Sequence, residues 1–200
     1  MKILVQAKKA ISAAALALLV PAAASAACSI SGNITASLNP DPAGPAWKYT
    51  AVIDWNTDTR YALSHIDLWL DKAGGNCSCQ NFQDALSWGS PIGTSGTSCV
   101  TGYGGELNCL GDPSIPGVTG IALKLNPLAG TCEPGTSGQG TFVFFSNLGP
   151  ATIDEEALTL VDKFGTGSCF GHLSGSFPSM PCNPVGDAIS PWGSVKGMFR

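Results

Sequence analysis

The chain has 200 residues, 8 of them cysteine, with only 12% charged and a formal net charge of −4. Lys2, Lys8 and Lys9 fall at the extreme N-terminus, so the rest of the chain sets seven basic residues against fourteen acidic ones. An acidic chain with scattered cations excludes nucleic acid and anionic headgroups as expected partners, and abundant Gly, Pro, Ser and Thr disfavour a helical fold.

The first 26 residues read as a signal peptide. The three lysines precede an uncharged apolar run from Ala10 to Val20, Pro21 ends it, and Ala24-Ser25-Ala26 offers a small-x-small cleavage site. Those 11 residues fall short of the roughly 20 that a membrane-spanning helix needs, and no later segment is long or apolar enough. Cys28 follows closely enough to raise lipidation. However, Ser25 stands where a lipoprotein signal carries a bulky aliphatic residue, and lipidation would leave an odd number of thiols. The expectation is a secreted or periplasmic protein, or one at the cell surface, with a single domain over 27–185 and a tail over 186–200.

Alternation then marks the strands in order. Ile30, Gly32, Ile34, Ala36 and Leu38 share one parity, as do Trp47, Tyr49, Ala51, Ile53 and Trp55. Ile66, Leu68 and Leu70 oppose Asp67, Trp69 and Asp71, and Ile121, Leu123 and Leu125 repeat the pattern. Each predicts a half-buried strand. The continuous run Phe142–Phe145 predicts a strand covered on both faces, and Leu158–Val161 another. The tracts 89–105 and 130–140, rich in Gly, Ser and Thr, read as loops. In the tail, Ser190 and Pro191 open a short helix with Trp192, Val195 and Phe199 on one face.

Cys28, Cys77, Cys79, Cys99, Cys109, Cys132, Cys169 and Cys182 predict four disulfides in an oxidising compartment. About 105 pairings exist, with the short loops Cys99–Cys109 and Cys169–Cys182 as plausible examples. The fold class expected is all-β: a disulfide-stapled antiparallel β-sandwich with Gly/Ser/Thr-rich loops.

Few constellations carry chemistry. Asp54, Asn56 and Asp58 open like a calcium loop, but Thr59 replaces the turn glycine and His65 the closing glutamate. Ca²⁺ is the single cofactor the sequence admits. Gly167-Ser168-Cys169-Phe170-Gly171 matches a nucleophile elbow beside His172, yet the following Gly/Ser/Pro stretch is a poor helix and a disulfide is the simpler use of Cys169. Asp154-Glu155-Glu156 could serve glycoside hydrolysis only with a distant carboxylate held across a cleft; a solvated loop before the next strand is the other reading. Trp69, flanked by Asp67 and Asp71 on the outward parity, is a candidate sugar-stacking platform; the competing reading is a loop folded over it.

The block Trp47–Thr57 with Ile66–Leu70, then Gly117–Ile121, Phe142–Phe144, Leu158–Lys163 and the Gly-rich segment closing at Cys182, resembles the strands of immunoglobulin-like modules in uncharacterised secreted bacterial proteins. The ending Trp192–Arg200 is similar to tails of secreted proteins of environmental bacteria. The resemblance implies an immunoglobulin-like sandwich and no catalytic residues. The function expected is therefore non-enzymatic, at the cell surface or outside the cell, with a glycan or surface protein as partner and the tail docking on a sorting partner. A carbohydrate-binding module or adhesin, and a secreted hydrolase, are the alternatives.

Overall fold

The computed structural model describes residues 28–72, 76–154, 158–180 and 182. Residues 1–26, which the sequence suggests as a signal peptide, the tail over 186–200, Glu155 and Glu156 lie outside the described residues. The elements are β1 (Ser29–Leu38), β2 (Trp47–Asn56), β3 (His65–Trp69), α1 (Cys79–Ala85), β4 (Gly93–Ser95), β5 (Thr101–Asn108), β6 (Ala122–Pro127), β7 (Ser137–Ser146), β8 (Pro150–Thr152), β9 (Thr159–Phe164) and β10 (Gly167–Pro178).

The strands run β1-β2-β7-β4-β5-β6-β3-β9-β10 around one sheet, every pair antiparallel until β10 meets β1. There the pairing is parallel, from Ser31 opposite His172 to Ile34 opposite Gly175, and it closes a nine-stranded barrel. β8 stands outside the ring, on the last residues of β10. The expected antiparallel, immunoglobulin-like sandwich is thus incorrect. Period-two alternation shows that one face of a strand is buried; it does not say whether that face meets a second sheet or the far wall of its own.

Closure depends on β10, a segment too rich in Gly and Ser to read as a strand. Its 12 residues serve three partners in turn: β9 first, β1 in the middle, β8 last. At Gly171 a Cβ would collide with the Ile30 carbonyl, and at Gly175 (φ +98°) with the backbone of Ile34. Without side chains at these two positions the seam strands reach pairing distance.

The barrel interior is solid. Tyr49 stacks on Phe144 with ring centroids 5.3 Å apart, Phe144 meets Phe177 at 5.7 Å, and Tyr103 meets Phe142 edge-on at 5.1 Å. Buried phenols need partners: Tyr49 donates to the Leu148 carbonyl (2.8 Å), and Tyr103 pairs with the Ser95 hydroxyl (2.9 Å). Ile34, Ile53, Ile66, Leu68, Leu123, Leu125, Leu160 and Leu173 fill the remaining volume. Ser78 and Asn81 form a reciprocal capping box that starts α1, and Phe82 joins the core from the helix, fully buried.

Four disulfides link Cys28–Cys169, Cys77–Cys182, Cys79–Cys109 and Cys99–Cys132. The short loops suggested from sequence do not form, for a geometric reason. The eight residues of β5 stretch between Cys99 and Cys109, separating them by roughly 27 Å at strand rise. β10 likewise carries the chain away from Cys169 before Cys182 is reached.

Seam sterics yield a graded test. Gly130→Ala, at φ +80° but with nothing within 4 Å, should cost about 1 kcal/mol. Gly171→Ala and Gly175→Ala should each cost more than about 3 kcal/mol or abolish folding, because backbone must move. Denaturant midpoints for the three variants check this ordering; equal losses would show that the seam tolerates a Cβ.

Candidate functional site

Strand β3 is buried on both faces. Ile66 and Leu68 point into the barrel, while His65, Asp67 and Trp69 point outward, yet the first two are sealed from solvent and Trp69 is half-covered. The cover is the connection between β5 and β6. Its Ile115 and Val118 pack with Ala122, Val161 and Trp69 in a second apolar cluster outside the barrel wall. The Trp69 indole N–H donates to the Thr119 carbonyl (2.7 Å), and its ring lies 6.4 Å from that of Phe170.

Beside this cluster the same connection lowers Asp112 onto β3 and β6. Lys124, opposite Asp67 in the β3–β6 register, donates to Asp112 Oδ2 at 2.7 Å, and the Ser114 backbone N–H donates to Asp112 Oδ1, also at 2.7 Å. His65 Nε2 lies 2.8 Å from Asp112 Oδ2 but is not aligned as a hydrogen bond. Neither oxygen of Asp67 has a hydrogen-bond partner, although the residue is fully buried. One donor atom from each of His65, Asp67 and Asp112 lies within 4.8 Å of the other two.

Burial governs the charge states. It pulls His65 down to about 4, helped by the Lys124 ammonium, so the ring is neutral at pH 7. It pushes Asp67 up to about 7, and the neighbouring Asp112 carboxylate pushes the same way. Burial also opposes ionisation of Asp112, but the hydrogen bonds from Lys124 and Ser114 outweigh it and hold this carboxyl well below the usual range. A third buried carboxyl, Asp162, shares the barrel-facing parity of Leu160. It accepts the Cys169 N–H (2.9 Å) through Oδ1, and burial raises it to about 6.

The other sequence candidates fall elsewhere. Asp71 is half-buried beside Gly120, on the covering connection. Asp54, Asn56 and Asp58 are exposed at the end of β2. Asp54 accepts from the Gln139 side chain (2.8 Å) and Asn56 from the Asp58 N–H (3.0 Å), so two of the three are engaged in holding the strand end and its turn. Cys169 is joined to Cys28 within β10; its thiol is consumed and no elbow exists, which removes the cysteine version of the hydrolase. The same bond occupies the sulfur that a lipid on Cys28 would need. In the sequence His65 is the mismatch in a calcium loop and one of only two histidines, and no motif includes Asp112. Parity already placed His65 beside Asp67 on the outward face of β3, but nothing local indicated that Asp112 would descend onto it.

A separate groove of about 460 Å³ opens at the opposite end of the barrel from α1, between the turns that follow β4 and precede β7. Its lining is rich in hydroxyls, including Thr94, Thr97, Ser137 and Thr141, with Gln139 the single side-chain amide and Glu133 the single carboxylate; Trp55 borders it from the core and is buried. Cys99–Cys132 ties the two turns together.

Among the described residues, fold and sites together define a disulfide-linked β-barrel with a buried ionisable cluster under a covering connection and an open polar groove. No protein family, curated protein or solved structure matches the chain.

Two measurements follow. Asp162 is more basic folded than unfolded, so the folded state binds the extra proton between about pH 4 and 6 and its ionisation cost is present above that window, on the order of 2–3 kcal/mol. Asp162→Asn should therefore gain stability relative to the parent at pH 7 and lose that relative gain by pH 4; superimposable pH profiles would refute it. Trp69→Ala should lower unfolding free energy by about 2–3 kcal/mol, because it empties the outer apolar cluster. An unchanged denaturation midpoint would instead return Trp69 to the role of a surface platform.

Proposed function

We propose that the protein is an exported, non-enzymatic binding protein that holds a hydroxyl-rich ligand of the carbohydrate class in the groove beside β4 and β7. The groove carries the reading. Closely spaced hydroxyls, one side-chain amide and a single carboxylate are groups that recognise a neutral polyol by hydrogen bonding. The disulfide across its rim supports preorganisation, since ordering the turns costs nothing further on binding. Two features support action outside the cytoplasm. Four disulfides suit an oxidising compartment, and the positive, apolar and small-residue zones of residues 1–26 suit export. Among the described residues no helix is long and apolar enough to cross a membrane.

The test is a glycan array on the purified protein, followed by titration of any hit against Thr94→Trp and Gln139→Ala. Thr94 is exposed and the Gln139–Asp54 hydrogen bond is a surface one, so both variants should stay close to the parental melting temperature while losing at least tenfold in affinity. An array without hits, or hits indifferent to both substitutions, would remove the groove as the binding site.

A further inference from the structure

The buried cluster poses a problem that the groove does not answer. Asp67 and Asp112 are neighbouring carboxylates sealed under the covering connection, and one ammonium, Lys124, is committed to Asp112. The other nearby cation, Lys163, faces His65 across the β3–β9 register but donates to the Gly167 carbonyl (3.4 Å). No N–H donor reaches either Asp67 oxygen at 0% exposure, where its carboxyl neighbour is Asp112, and the adjacent imidazole nitrogen, 2.8 Å from Asp112 Oδ2, is not aligned as a hydrogen bond. A buried carboxylate with no counter-charge costs several kcal/mol, so native structures compensate one.

We propose that His65, Asp67 and Asp112 form a binding site for a divalent cation of the Zn²⁺ class, which fastens the covering connection to the barrel wall. Three observations converge on it. The donor atoms lie within 4.8 Å of one another, close enough for modest side-chain adjustment to bring them around one ion. The groups without an aligned hydrogen bond are the ones a metal would engage: an imidazole nitrogen and a carboxyl group. The nitrogen–oxygen–oxygen set suits a borderline cation, whereas Ca²⁺ takes six to eight oxygens and has little use for imidazole. Strand geometry supplies two ligands at i and i+2 on one face of β3, and Asp112 supplies the third from the connection, already oriented by the Ser114 N–H and Lys124. Because Lys124 and the ion divide Asp112 between them, affinity should be moderate. Because the site is sealed, loading should accompany folding.

The experiment uses disulfide-intact protein, unfolded in guanidinium with chelator, then refolded with Zn²⁺ and desalted. Metal analysis and native mass should find about one Zn²⁺ per chain, and the melting temperature should exceed that of protein refolded with chelator. His65→Gln and Asp67→Asn should each lose the retained ion, while His172→Gln, at the exposed histidine, should keep it. If the two cluster variants do not fold, the parent's stoichiometry decides alone. A parent that retains no Zn²⁺ overturns the site and leaves a proton between Asp67 and Asp112 as the compensation. Retention by both cluster variants, or loss in His172→Gln, overturns it equally, since the ion is then bound elsewhere.

Discussion

The parallel pairing of β1 with β10 is the constraint on which the rest of the structure hangs. Eight antiparallel pairings build a curled sheet, but an open sheet of this width would expose two edges and leave its inner face without a partner. The seam removes both edges of the ring and turns the inner face into a core. It does so where a polypeptide has least in the way, at Gly171 and Gly175 against the backbone of Ile30 and Ile34. Cys28–Cys169 binds the same two segments covalently, just before β1 and within β10, and the Cys169 N–H is anchored on buried Asp162. The bond closes a long loop, so in the chain-entropy account it restricts the unfolded ensemble strongly while marking the closure point in the folded one.

Once the barrel closes, the outside of β3 becomes the other consequential surface. A wall strand normally shows polar residues to water, yet β3 carries His65, Asp67 and Trp69 beneath the β5–β6 connection. Apolar packing by Ile115 and Val118 and the hydrogen bond from Trp69 to Thr119 hold that cover down. Cys79–Cys109 fixes its start to α1. Water is thereby removed from two carboxylates, an imidazole and a lysine, and their charge states diverge because each has a different partner. The groove at the far end has the opposite character: open and hydroxyl-lined with one carboxylate, its shape held by a disulfide instead of a packed cover.

How much of this was readable from sequence depended on where the side chains sat. β1, β2, β3, β6 and β9 announce themselves because their inward positions carry Ile, Leu, Tyr or Trp. β5, the first half of β7, and β10 do not. There the inward residue is often glycine, and a neighbouring ring fills the space. Trp55 lies over Gly138, Phe142 over Gly140, Trp88 and Ile92 over Gly105, and Phe164 over Gly167. Alternation is present in the filled volume but absent from the letters, so the tracts over 89–105 and 130–140 read as loops. The short helix was passed over for a different reason: Phe82 is its one buried residue, and seven residues are too few to show a helical period.

By itself the sequence determined an all-β, disulfide-rich chain with an acidic balance, because composition, cysteine number and period-two alternation are local properties that survive any topology. It also placed Trp69, Asp67 and Asp71 on the outward parity of one strand, since parity follows from the pleat. Tertiary structure decided the rest: barrel in place of sandwich, the disulfide partners, and the meeting of Asp112 with His65 and Asp67. Each of these depends on which distant segments share a wall. That is set by closure sterics and cross-strand register, and neither leaves a mark on the residues between.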